Sequence, residues 1–127
     1  MHPPARLIII IAGLLGFTGV ALGAFGAHAL KEILTARGSI QTWQTAVLYH
    51  LVHAVALLAL ASGSGGLINP RWIALCWSLG VILFSGSLYW LALGGPKFLG
   101  PITPLGGLAL LSGWLIIAWQ GWQLSTR

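Results

Sequence analysis

The 127-residue chain contains no aspartate, one glutamate (Glu32) and one cysteine (Cys76), and only 6% of its residues are charged. Each shortage excludes a class of function. Without aspartate there is no Ser-His-Asp triad, and one glutamate cannot make a pair of catalytic carboxylates. A hydrolytic zinc centre would lack its general base. One thiol gives neither a disulfide framework nor a cysteine metal site, so Cys76 reads as a small buried side chain. No phosphate-binding or dinucleotide glycine pattern occurs in the required context. The chain is therefore expected to be non-enzymatic. The shortage of charge excludes more, because soluble domains carry roughly 25% charged residues.

What is present is apolar: 57% hydrophobic residues and a mean hydropathy of +0.93. The charges are Arg6, Lys31, Glu32, Arg37, Arg71, Lys97 and Arg127. They leave four charge-free stretches, each long enough for about 20 apolar residues. These predict an all-α fold: a single integral-membrane domain, an antiparallel four-helix bundle with spans at roughly 6–30, 40–61, 71–93 and 104–124. ALGAFGA near the first span also has the form of a signal cleavage site. The apolar run continues through it, so an uncleaved span is the simpler reading. The localisation expected is a bacterial inner membrane.

The net charge of +5 comes from scattered basic residues, not a stripe. That pattern predicts lipid as the partner and no nucleic acid. Arg6, Arg71 and Arg127 fall on one membrane face, and Lys31, Arg37 and Lys97 on the other. An even split assigns no orientation. Trp43, Trp72, Trp90, Trp119 and Trp122 lie near span ends, where indoles favour the headgroup layer; Trp77 and Trp114 lie inside, to face lipid or fill the bundle.

Small residues recur at helical spacing. Ala12, Gly16, Gly19, Gly23 and Gly26 share one face of the first span; Gly80, Ser87 and Gly94 recur every seven residues; Gly106, Ala109 and Gly113 line the fourth. Such faces let helices approach closely, within the bundle, in a homo-oligomer or in a larger membrane complex. Gly38 and Ser39 predict a turn, with Ser39 capping the next helix. Residues 94–104 are too rich in Gly and Pro to suggest a helix, with Pro104 opening the fourth span.

One polar group set interrupts the apolar spans. Counting outward from Gly38 places His28 and His50 at similar depth, with His53 one turn on. Tyr89 belongs to the same half of the membrane. His28, Tyr49, His50, His53 and Tyr89 are thus expected to form one layer, with Gln41 and Gln44 near its mouth. Lipid offers such groups no partners, so they must find one another. The leading reading is interhelical glue, which needs no cofactor. The alternatives are metal or haem ligation by His28, His50 and His53, and a path for protons or small solutes. His2 is terminal and needs no role.

GAFGAHALK at 23–31, WQTAVLYHLVHA at 43–54, FSGSLYWLAL at 84–93 and LGPITPLGGLALLSGW at 99–114 occur in that order. In these motifs the chain resembles the domain of unknown function 423 family, small membrane proteins similar to transmembrane protein 256. The resemblance covers nearly the whole chain. It implies a four-helix inner-membrane protein, with no activity to carry over. It also implies that Gly23, Phe25, Gly26, His28, Tyr49, His50, His53, Gly86, Tyr89, Thr103, Pro104 and Gly106 are characteristic positions.

Overall fold

The computed structural model describes residues 3–63 and 68–127; His2 and the centre of the second loop lie outside them. Five helices follow one another: α1 (Pro3–Ala27), α2 (Lys31–Arg37), α3 (Ile40–Gly63), α4 (Pro70–Ala92) and α5 (Leu99–Ser125). All but α2 are long and apolar enough to cross a membrane, as the charge-free stretches predict. At 1.5 Å per residue they measure about 35–40 Å. No strand occurs among the described residues.

The helices α3 and α4 form the centre. Helix α1 packs on α3, α5 packs on α4, and α1 touches α4 only lightly. The buried face of α3 is Trp43, Ala46, His50, His53, Leu57 and Leu60, at alternating steps of three and four. That spacing is the seam of a helix lodged between neighbours. Leu57, Ile73, Trp77, Val81 and Leu110 form the larger core, while Leu34, Trp43 and Ala92 form a smaller one under the first and third loops. Outward positions such as Phe17, Val55 and Leu115 are exposed apolar residues, as a lipid-facing surface requires.

Several element ends differ from the expectation. The first span stops at Ala27, and a turn at residues 28–30 leads into α2. Glu32 in the first turn of α2 and Arg37 in the last suit its dipole, and buried Leu34 anchors it. Gly38 ends it in the left-handed region at φ 65°, with its N–H directed to the Leu34 and Thr35 carbonyls. Ser39 does not cap α3 with its side chain. Its hydroxyl donates to the Ala92 carbonyl at the end of α4, 2.7 Å away. The helix α5 begins at Leu99, so residues 99–104 are helical and Pro104 lies inside the helix. Pro101 occupies the first turn, where an N–H would have no partner, and Pro104 removes only one further bond. Pro70 starts α4 behind Asn69, whose side chain accepts from Arg71 N–H.

The glycine faces separate into two kinds. A Cβ on Gly19 would strike the Leu51 side chain, on Gly23 it would crowd Val47, and on Gly26 it would enter the Trp43 indole. Gly80 receives Leu110, Gly113 receives the Trp77 indole, and Gly106 lies against the Leu83–Phe84 backbone. These glycines hold the α1–α3 and α4–α5 seams closed, as the spacing predicts. Gly16 belongs to no seam, for a Cβ there meets nothing within 4 Å. Gly94 is a turn residue at φ 91°, covered by the Arg37 guanidinium. Ser87 closes its seam by hydrogen bonding to Thr103 on α5.

The candidate polar site

The polar site is built on α3, where His50 and His53 are only 5% and 4% exposed. His50 reaches two other helices. Its Nε2 lies 3.1 Å from Thr18 Oγ1 on α1, and its Nδ1 lies 2.8 Å from the Tyr89 hydroxyl on α4. The Thr18 hydroxyl is 2.9 Å from the Leu14 carbonyl, which can only accept. Thr18 therefore donates to Leu14 and accepts from His50 Nε2–H. His50 Nδ1 is left to accept the Tyr89 O–H. One directed chain thus runs Tyr89, His50, Thr18, Leu14 across three helices.

His53 carries the opposite tautomer. Its Nδ1 lies 2.8 Å from the Tyr49 carbonyl and must donate to it. Its Nε2 then accepts the Trp114 indole N–H from α5 at 3.0 Å. Both rings are neutral in this arrangement, and both ring nitrogens of each are occupied. The Tyr49 ring stacks on His53 at 6.3 Å between centroids, while its hydroxyl end belongs to a side chain that is 41% exposed. Trp77 meets both His53 and Trp114 edge-on or tilted.

Further bonds join the same helices. Trp43 donates its indole N–H to the Leu22 carbonyl of α1 at 2.9 Å, and Ser85 of α4 donates to the Ala46 carbonyl of α3 at 2.8 Å. Trp43 is therefore a core residue, not a headgroup anchor, whereas Trp72, Trp90, Trp119 and Trp122 are exposed at span ends. On the opposite face, the Gln120 side-chain amide accepts from the Asn69 main-chain N–H and donates to the Asn69 carbonyl, tying the second loop to the end of α5.

The structure brings His50, His53, Tyr49 and Tyr89 together, and it leaves His28 out. His28 is exposed on the turn after α1, and its ring makes no hydrogen bond among the described residues. Counting from Gly38 treats the hairpin as two continuous rods. The separate helix α2 takes up the seven residues before Gly38. The α1 residue level with His50 is consequently Thr18, ten positions earlier than His28. Gln44 is exposed beside a small groove lined by Gly23, Gly26 and Trp43, away from the two rings. The expected metal set of His28, His50 and His53 is not assembled. Among the described residues no three His, Cys, Asp or Glu side chains are placed to hold a metal ion.

Thr18 and Trp114 are the partners that the spacing argument passed over. Thr18 had a signal: it is the only hydrogen-bonding side chain between Arg6 and His28. Trp114 had a weaker one, an indole far from any loop.

A family model described as "Protein of unknown function (DUF423)" matches residues 22–107. An inner membrane protein of Escherichia coli K12, YgdD of the UPF0382 group, is 39% identical over 117 residues, 89% of this chain and 87% of the relative. The UPF0382 membrane protein YwdK of Bacillus subtilis is 38% identical over 118 residues, 88% of this chain and 93% of the relative. A UPF0382 membrane protein of Staphylococcus haemolyticus is 42% identical over 113 residues, 88% of this chain and 92% of the relative. No solved structure matches the chain. With its four apolar spans and the matched motifs in place, the chain belongs to the DUF423 family and is a small polytopic protein of the bacterial inner membrane.

Proposed function

We propose that the protein is a structural or accessory membrane component and not an enzyme, and that its histidines are interhelical connectors. One observation carries this reading: all four ring nitrogens of His50 and His53 are engaged by groups of this same chain. A metal or haem would have to displace Tyr89, Thr18, Trp114 or the Tyr49 carbonyl, and it would find no third ligand among the described residues. The proton-path reading has less support. The chain through His50 ends on the Leu14 carbonyl, which has no proton to pass on.

In this role the immediate partner is lipid, and the outward faces of α1 and α5 are the surfaces open to a second copy or a larger complex. The test is direct. Purified protein incubated with zinc, copper or haem should retain less than a tenth of an equivalent after desalting and show no Soret band. One equivalent retained by the wild type and lost in His50→Phe would overturn the proposal. Proteoliposome proton flux that disappears in Tyr89→Phe would replace it with the conducting reading.

A further inference from the structure

The helices α1 and α4 run parallel, with both N-termini on the membrane face that carries Arg6, Arg71 and Arg127. The hydrogen bonds and glycine contacts that tie α1 to α3 lie in its C-terminal half, at Thr18, Gly19, Leu22, Gly23 and Gly26, while Ile8 and Ala12 of its N-terminal half are buried in the core with Leu57, Leu60 and Ile73. Beside these buried residues, the N-terminal half of α1 and the first turns of α4 border a groove of about 670 Å3. That volume falls within the roughly 300–1,000 Å3 of small-molecule sites. Leu7, Ile8 and Ile11 form one wall and Leu75 part of the other. Arg71 stands at the mouth and Ser78 at the inner end, seven residues and about 10 Å further into the membrane. The Ser78 hydroxyl oxygen is buried and has no partner among the described residues.

We propose that this groove binds an anionic phospholipid, with an acyl chain between α1 and α4 and the phosphate on Arg71. The occupant follows from charge and from length. The mouth holds a guanidinium at the second residue of α4, where the helix dipole adds positive potential. Arg6 lies in the first turn of α1, between the lining residues Pro4 and Leu7 in sequence. The chain's only acidic side chain, Glu32, is on the opposite face, so no side-chain carboxylate competes for these cations. Behind the mouth the walls are aliphatic and open to the bilayer, which suits a hydrocarbon chain entering from the side. A basic residue at the interface favours an anionic lipid headgroup. The proposal needs only that α1 and α4 span the bilayer, so it stands apart from the role assigned to the histidines.

The experiment is native mass spectrometry of the full-length protein released from detergent, titrated with phosphatidylglycerol and with phosphatidylcholine of the same acyl chains. The wild type should hold one phosphatidylglycerol about fivefold more tightly than phosphatidylcholine, the size of one basic contact with an anionic lipid. Arg71→Gln should remove the preference, Leu75→Trp should weaken both lipids by filling the groove, and Lys97→Gln on the other face should change neither. Arg71 and Leu75 are exposed, so both variants are expected to fold. Equal binding of the two lipids, or a preference that survives Arg71→Gln, would overturn the proposal. So would full competition by inorganic phosphate, or a wild-type dimer that Leu75→Trp converts to monomer, because the groove would then hold a free anion or a second copy.

Discussion

The Trp114 indole on α5 donates its N–H to Nε2 of His53 on α3 across 3.0 Å, and this one bond decides which nitrogen of His53 carries its proton. The other nitrogen donates to the Tyr49 carbonyl. At His50, one turn away, the Thr18 and Tyr89 hydroxyls impose the reverse choice. Two neutral histidines of opposite tautomer therefore sit on one face of one helix. Nitrogen-15 NMR of histidine-labelled protein should resolve them. His53 is expected to show a protonated Nδ1, and His50 a protonated Nε2. Two rings of the same tautomer would refute the assignment.

Trp114→Phe keeps most of the packing at this position and removes the donor. His53 Nε2 is then left without a partner. The expected loss is about 1 kcal/mol, within the range of interhelical hydrogen bonds measured in membranes. Reversible unfolding in mixed micelles would measure it. The NMR signal of His53 should move at the same time, while that of His50 stays in place.

The bond between His50 and Tyr89 joins the two central helices, and the rings also meet edge-on at 5.9 Å. A double-mutant cycle of His50→Phe and Tyr89→Phe isolates that contact. A coupling of about 0.6–1.7 kcal/mol is expected. Zero coupling would mean that the two groups do not share a proton.

Glycines offer the sharpest contrast. A Cβ at Gly106 meets the backbone nitrogen of Phe84, and main chain cannot turn aside as a side chain can. Gly106→Ala must push α5 away from α4, at about 1–3 kcal/mol or more. Gly16→Ala meets open space and should be neutral, or stabilising by up to about 1 kcal/mol from helix propensity. Thermal unfolding of the two variants should separate them widely. Equal losses would show that the α4–α5 seam is not the close approach described.

The two bonds between the Gln120 side chain and the Asn69 main chain give a prediction for the other membrane face. Gln120→Ala removes both bonds and frees the second loop from α5. Because these groups are exposed, the effect on global stability should stay below about 1 kcal/mol. Limited proteolysis at the second loop should nevertheless become faster.

The sequence made much of the site legible, though not its completion. His50, His53, Tyr49 and Tyr89 could be gathered by depth because polar groups in hydrocarbon have no alternative to one another. His28 was gathered wrongly because the count crossed α2, a short interfacial helix that adds residues without adding depth. Trp43 was placed in the headgroup layer on its nearness to a span end. The Leu22 carbonyl and the recess at Gly26 draw it inward instead. Pro104 was read as a start because residues 94–104 are rich in Gly and Pro and proline is tolerated in a first turn. Inside α5 it removes a single bond from a long helix that packing on α4 holds in place.

By itself the sequence determined the solvent of this protein, the number of its crossings and the glycines at which helices could meet. Those properties depend on composition and on spacing along a single helix, and both can be read in one dimension. Only the tertiary structure decided which partner each polar group has: Thr18 and not His28 for His50, Trp114 for His53, Ala92 for Ser39. Hydrogen bonds act over about 3 Å between helices far apart in the chain. Their pairing depends on how each rod is offset against the next, and that offset was set by α2, a turn and an early start to α5.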